Sequence, residues 1–322
     1  MENKTYYLGI DSGGTKTAFA ICDEDGRIIS RTTVPSVSIA QCGKEKARDI
    51  LSEGIGHLVA QAQITVKQIQ SVCFGASCYG EDYANDRELC KISKEILGSV
   101  PIIFVNDAEV AWAGSLGMEP GITVVAGTGS IAFGKDETGK TARCGGFSEH
   151  FDDAGSGYWL GLKTLSLFCQ QADGRCPKSP LYDLVREHLS LNNNYGINGV
   201  FKKEFSFSRE RVASLQMLLY KAARAGDMAA IEIYRQAAHE LLKLVNGVQK
   251  QLCYERETLV SFSGGIFQVG CLIVDPFMEL AELSGYKVQE PVATPLNGAL
   301  MIAAETSPIG KKIIDTLKKQ NS

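Results

Sequence analysis

Hydrophobic and polar positions along this chain follow two regimes: short apolar runs closed by glycine, and longer stretches with apolar residues three or four apart. An apolar run ends at Asp11, Ser12-Gly13-Gly14-Thr15-Lys16-Thr17 follows, and a second run, Ala18-Phe19-Ala20-Ile21-Cys22, closes in Asp23-Glu24-Asp25-Gly26. Residues 18–22 are β-prone and bounded by turn formers, which reads as strand, glycine turn, strand, then a hairpin turn. Residues 27–34 add a third strand. Ala47, Ile50, Leu51, Ile55, Leu58 and Val59 recur at helical spacing and predict a helix over 44–63. A short strand over 69–74 ends at Gly75, and 82–97 reads as a helix. Ile102-Ile103-Phe104-Val105 is apolar without alternation, which predicts a strand covered on both faces. Three strands in a meander, then helix, strand, helix, strand, predict a mixed sheet with helices on both sides, an α/β domain.

The pattern then begins again. Residues 122–126 form a strand ending in Gly127-Thr128-Gly129-Ser130, followed by a strand over 131–134 and a polar turn over 135–139. A strand, a Gly/Thr turn and a strand therefore occur twice, near 8–22 and 122–134. The duplication predicts two similar domains facing a shared cleft, joined where Gly114, Gly117, Pro120 and Gly121 mark a connection. Beyond it helices dominate: 155–171, then 207–225 after a polar loop with three asparagines at 192–194. A long helix capped by Asp227 runs to about residue 254, its stripe including Ile231, Tyr234, Ala238, Leu241, Leu242, Val245, Val248 and Leu252. A strand over 258–263 ends at Gly264-Gly265, a helix follows over 269–283, Pro295 opens an Ala-rich helix, and 309–319 form a terminal one.

Composition narrows the classes. At 322 residues, two domains are the natural expectation, and such a chain buries about three quarters of its unfolded surface without staples. A hydrophobic share of 44% with 22% charged residues describes a soluble globular protein. A net charge of −4, with no basic cluster interleaved with aromatics, argues against nucleic acid as a partner. No apolar run approaches about 18 residues, so no membrane span is expected. Met-Glu-Asn-Lys leads straight into a strand without a signal peptide, and the expected location is cytoplasmic. The ten cysteines show no C-x-x-C spacing, and several sit inside apolar runs as small hydrophobes, as in a reducing compartment. The four histidines lack metal-ligand spacing. A homodimer is expected only at the base rate.

The first glycine turn carries the sharpest chemistry. Glycines let backbone approach a phosphate, and successive N–H groups in such a turn form an anion-binding concavity. The stretch nearly spells a P-loop, but Lys16 falls one place late and a strand rather than a helix follows. On its own the turn reads equally as a phosphate cradle or as a plain hairpin turn.

Five pieces in this order resemble the sugar kinase, actin and heat-shock chaperone ATPase superfamily: Asp11 to Thr17; Asn106-Asp107-Ala108; Gly127-Thr128-Gly129-Ser130; Cys144-Gly145-Gly146-Phe147 continuing to Asp153-Ala154-Gly155-Ser156-Gly157-Tyr158-Trp159; and Ser263-Gly264-Gly265. Within it the chain is most similar to the BadF/BadG/BcrA/BcrD ATPase family and its N-acetylglucosamine kinase branch. The resemblance implies two ribonuclease-H-like (actin-like ATPase) domains around an interdomain nucleotide cleft, the second with a large helical insert. Boundaries follow at 1–116, 117–295 and 296–322, the last piece returning to the first domain. It also implies ATP and Mg²⁺ as cofactors and a small sugar as acceptor.

Phosphoryl transfer leaves a protein mostly positioning and charge neutralisation. The resemblance gives the phosphates to Gly13, Gly14, Thr15, Gly127, Thr128 and Gly129, with Lys16 adding charge if its side chain faces the turn. It gives adenosine to Gly264 and Gly265, the Mg²⁺ shell to Asp11 through water, and the general base to Asp107, which otherwise qualifies with Asn106 as a helix cap. Gly146, Phe147 and Asp153 fall on sugar-contacting positions, a carboxylate beside an aromatic face. Phe147 stands where tryptophan is common, Ala154 where glutamate follows the aspartate, and residues 36–39 read Ser-Val-Ser-Ile where an asparagine binds sugar in the animal enzyme. Phosphorylation of a sugar hydroxyl carries over; the N-acetyl group and the particular sugar do not. Two other classes stay in view: an ATPase activator of a 2-hydroxyacyl-CoA dehydratase or benzoyl-CoA reductase, which needs cluster-bridging cysteines and lacks the helical insert, and a sugar sensor without turnover.

Overall fold

A computed structural model describes residues 4–205 and 208–320. The first strand, β1 (Tyr6–Ser12), is buried from Tyr6 to Ile10 and emerges at Asp11. It pairs antiparallel with β2 (Lys16–Asp23), which pairs antiparallel with β3 (Ile28–Pro35), giving the expected meander. A short α1 (Ile39–Cys42) leads into α2 (Lys44–Gln61), which buries Ala47, Leu51, Ile55 and Leu58. Next come β4 (Ile69–Ala76), parallel to β1, α3 (Tyr83–Leu97) capped by Asp82, β5 (Ile102–Asn106), parallel to β4, and α4 (Asp107–Leu116). The sheet order is β3-β2-β1-β4-β5. Because β5 ends the row, all five of its residues are only half-buried, and the expected cover on both faces is not seen.

The repeat produces a second mixed sheet. Strands β6 (Gly121–Ala126), β7 (Ser130–Lys135) and β8 (Thr141–Gly145) lie in sequence order, β8 being a strand that the polar residues after 135 concealed. Helices α5 (Gly157–Ala172), α6 (Pro180–His188), α7 (Ile197–Glu204), α8 (Arg209–Ser214), α9 (Gln216–Arg224) and α10 (Met228–Gln249) follow. The helix expected over 207–225 is two helices meeting at Leu215, and its first residue, Phe207, lies outside the described residues. Asp227 caps α10 by accepting the Ala229 and Ala230 N–H groups, and the stripe from Tyr234 to Val248 is buried. The chain closes this sheet with β9 (Leu259–Ser263) and β10 (Lys287–Val288), order β10-β9-β6-β7-β8. Between them the helix expected over 269–283 is divided: a 3-10 segment, Gly265–Leu272, breaks at Gly270 (φ +70°) before α11 (Val274–Leu283). No helix among the described residues is long and apolar enough to cross a membrane.

Contacts group Met1–Thr123 with Gln289–Ser322, and Val124–Val288 separately. The return segment is α12 (Pro295–Ala304), buried from Asn297 to Ala304, and α13 (Gly310–Lys319). Helix α12 packs on α4 and β1 at a distance only glycine permits. A Cβ on Gly9 would lie 2.9 Å from Leu300 N, one on Gly114 2.7 Å from Thr294 C, and one on Gly298 3.0 Å from Gly114 Cα. Helix α4 is therefore clamped from behind, and its first residue is Asp107.

Candidate active site

In the first unit the glycine turn is held from below and open above. Gly13 N–H donates to Lys16 O at 3.0 Å, and Ser36 Oγ donates to Gly13 O at 2.9 Å. The buried Ser12 and Thr17 hydroxyls bond to each other at 2.9 Å, and Val37 N–H donates to Thr17 Oγ1 at 3.2 Å. Two of the turn's hydroxyls are thus structural, a role the sequence reading missed, while Gly14, Thr15 and Lys16 are exposed. Such an arrangement leaves backbone and a hydroxyl for an anion.

Asp11 and Asp107 terminate the strand ends beside this turn, where α/β sheets place their ligands. Asn106 takes the capping role at α4, accepting Ala108 N–H at 3.1 Å and donating to Tyr79 O at 3.1 Å. Asp107 is then the first helical residue and is not consumed as the cap. Burial pushes its carboxyl up to about 6, with the Ala108 N–H opposing the rise and Glu81 adding to it. Burial likewise lifts Asp11 to about 7, with Asp107 adding to the rise and Lys16 opposing it. Two carboxylates at the same end of one sheet, each held above its ordinary range, suit a divalent cation that keeps several waters and takes further oxygens from phosphates. No cluster of three metal-ligating side chains occurs among the described residues.

The second glycine turn, in the other unit, is built differently. The first amides of α5 grip it: Gly157 N–H donates to Gly127 O at 2.9 Å and Tyr158 N–H to Thr128 O at 3.1 Å. Ser156 caps α5 by accepting Trp159 N–H at 3.2 Å. The turn's far end is anchored by Asp153, whose Oδ1 accepts Ser130 N–H at 2.8 Å, while Ser130 Oγ donates to Ala154 O at 2.9 Å. Asp153 is 2% exposed, sits at φ +60° and is ion-paired with Arg209. Arg209 was not singled out from the sequence, and nothing in its polar surroundings there marked it.

After β8, Gly145 and Gly146 both adopt positive φ (+81° and +76°) and swing the chain into the 146–152 loop. Phe147 stands 77% exposed and Phe151 79% exposed on this loop, an aromatic pair of which the sequence reading found only the first. Gly264 (φ +102°) lets β9 cross the end of β6, since a Cβ there would lie 2.7 Å from Ala126 C; a Cβ on Gly265 would meet open space. Burial raises the Cys144 thiol, which argues against an activated nucleophile, and His150 is exposed 3.9 Å from Glu149.

Comparison with known proteins fixes the relationship. The sequence profile of the BadF/BadG/BcrA/BcrD ATPase family matches residues 8–303. The chain belongs to this family. It is similar to the N-acetylmuramic acid/N-acetylglucosamine kinase of Clostridium acetobutylicum, 29% identical with 88% of this chain and 92% of that protein covered. The N-acetyl-D-glucosamine kinase of Dictyostelium discoideum is 31% identical, with 84% and 88% covered. In fold, this family member matches a provisionally named N-acetylglucosamine kinase from Chromobacterium violaceum with a TM-score of 0.75 at 22% identity, over 94% of this chain and 99% of that one. A ROK family glucokinase from Streptomyces griseus, solved with glucose and AMPPNP, matches with a TM-score of 0.57 at 19% identity, over 93% and 99%. The fold is thus that of actin-like ATPase sugar kinases.

Proposed function

We propose that this family member is an ATP-dependent kinase that phosphorylates a hydroxyl of a small sugar, an amino sugar such as N-acetylglucosamine or a related hexose. One observation supports this most: Asp107 stands at the C-terminal end of β5, relieved of capping by Asn106 and raised to about 6, which is near the value a base needs at neutral pH. In this reading the Asp107 carboxylate accepts the proton of the attacking hydroxyl, a contribution of typically 10²–10⁴-fold, about 3–5 kcal/mol. The amides and hydroxyls of Gly13, Gly14, Thr15, Gly127, Thr128 and Gly129 hold phosphate oxygens, with Lys16 as the nearby cation. Gly264 and Gly265 give adenosine a flat backbone surface. Asp11 holds the water shell of Mg²⁺, which supplies neutralisation of the triphosphate charge when bound. Phe147, Gly146 and Asp153 form the sugar side, an aromatic face with a carboxylate. Ten free thiols fit the reducing cytoplasm.

The experiment is a panel of amino sugars and hexoses with Mg-ATP, read by ADP release and product mass. Sugar-dependent ADP release with a phosphate added to the sugar is the expected result. ADP release that no sugar stimulates would refute the kinase reading.

A further inference from the structure

One guanidinium joins three segments that lie far apart in the sequence. Arg209, at the start of α8, pairs through Nη2 with Asp153 Oδ2, and its Nε lies 3.8 Å from Glu149 Oε2. Asp153 in turn holds Ser130 N–H at 2.8 Å, so the arginine is one bond removed from the end of the Gly127–Ser130 turn. Glu149 belongs to the 146–152 loop, which is folded on itself: Phe147 N–H donates to Asp152 Oδ2 at 3.2 Å and Asp152 N–H to Ser148 O at 2.8 Å. Gly129 has no room for a side chain because Arg209 and Asp153 fill that space. The buried Nε of Arg209 has no hydrogen-bond partner among the described residues, so part of its donor capacity is unspent.

We propose that Arg209 is a positioning residue for the acceptor sugar, locking Asp153 and the 146–152 loop onto the Gly127–Ser130 turn so that acceptor and phosphate are held in register. The proposal rests on the sugar-kinase reading for its substrate, although the lock itself does not. Charge accounts for the choice of arginine. Glu149, Asp152 and Asp153 crowd this corner, and a planar guanidinium can serve two carboxylates at once where an ammonium serves as a point charge. Burial raises the Asp153 carboxyl, Ser130 N–H and Arg209 oppose that rise, and Asp152 adds to it. Without the guanidinium, Asp153 takes up a proton at a higher pH and loses a lone pair that a sugar hydroxyl would use. Glu149 also loses its tie, which frees the loop that displays Phe147 and Phe151.

The test uses the full chain as wild type, Arg209→Gln and Arg209→Lys, first by amide hydrogen exchange on the unliganded protein. Loss of a hydrogen bond to a charged group should speed exchange at least about tenfold in peptides holding Ser130 and residues 147–152 of Arg209→Gln. With N-acetylglucosamine and glucosamine as acceptors, the sugar KM of Arg209→Gln should rise at least about tenfold, with Arg209→Lys between wild type and Arg209→Gln. The KM for ATP should rise less than the sugar KM. Unchanged exchange, an unchanged sugar KM despite faster exchange, or an ATP KM that rises as much as the sugar KM would each overturn the proposal. Should the wild type transfer to neither sugar, the kinase reading fails there, while the exchange measurement still decides the lock.

Discussion

Asp11 and Asp107 lie on either side of a single strand, β4, and the charge on Asp107 raises the carboxyl of Asp11. Gly75 of β4 stands level with Asp11 on one side and with Val105 on the other, which puts the two carboxylate-bearing strands two spacings, about 10 Å, apart. The two acids are therefore electrostatically linked: ionised Asp107 adds to the rise that burial gives Asp11, and Lys16 opposes it.

Replacing Asp107 with asparagine separates binding from transfer. The amide keeps the shape and can no longer accept the hydroxyl proton, so sugar-dependent ADP release should fall by at least about a hundredfold. Nucleotide affinity, read by titration, should change little. Transfer within a few-fold of wild type would remove Asp107 from the mechanism.

The raised carboxyl of Asp107 also sets a pH dependence for both activity and stability. As the base it must be ionised, so kcat/KM for the sugar should fall as pH drops through about 6. Stability runs the opposite way. Between the ordinary aspartate value near 4 and about 6, the folded state keeps a proton that the unfolded state has released, so stability declines as pH rises across that window and levels off above it. Asp107→Asn removes this penalty, which is on the order of 1–3 kcal/mol. Its melting temperature should therefore exceed that of wild type at pH 8 and approach it at pH 4, without nucleotide. A variant that melts lower than wild type at pH 8 would contradict the burial of this charge.

Thr17 offers a test of the first turn's foundation. Its Oγ1 pairs with Ser12 and accepts Val37 N–H, so Thr17→Val strands two buried groups and should cost about 1–3 kcal/mol. The same change should weaken ATP binding, since the glycine turn rests on these bonds. An ATP KM equal to wild type would show that the turn needs no such support.

How much of this was legible in the sequence depended on whether local pattern or distant neighbours fixed each feature. The two strand–turn–strand units, the Asp227 cap and the apolar stripe of α10 are local, and each could be read from spacing and turn chemistry alone. Strand β8 was hidden because Thr141 and Arg143 are exposed at a sheet edge and the residues between and after them, Ala142 and Cys144, are small and only half-buried, which leaves no strongly apolar face to read. The edge position of β5 depends on strand order, which no window of ten residues contains. At the site, Asp11 and Asp107 were visible as carboxylates closing apolar runs, whereas Arg209 was not. Its meaning comes from Asp153 and Glu149, more than fifty residues away, and a lone arginine at a helix start carries no signal of that partnership.

The last prediction concerns the clamp behind Asp107. Gly298 of α12 faces the backbone of α4, and a methyl group there would overlap Val110 O and crowd Gly114. Both partners are main chain, so no rotamer change can make room, and the helices must move apart. Gly298→Ala should therefore cost at least about 3 kcal/mol, at the upper end for overpacking, and appear as a lower melting temperature. Because α4 begins at Asp107, its displacement should also reduce kcat while leaving the ATP KM near that of wild type. Gly265→Ala is the control, as a Cβ there meets nothing within 4 Å and the fold should hold. Equal stability of the two variants would mean that α12 does not set the position of the base.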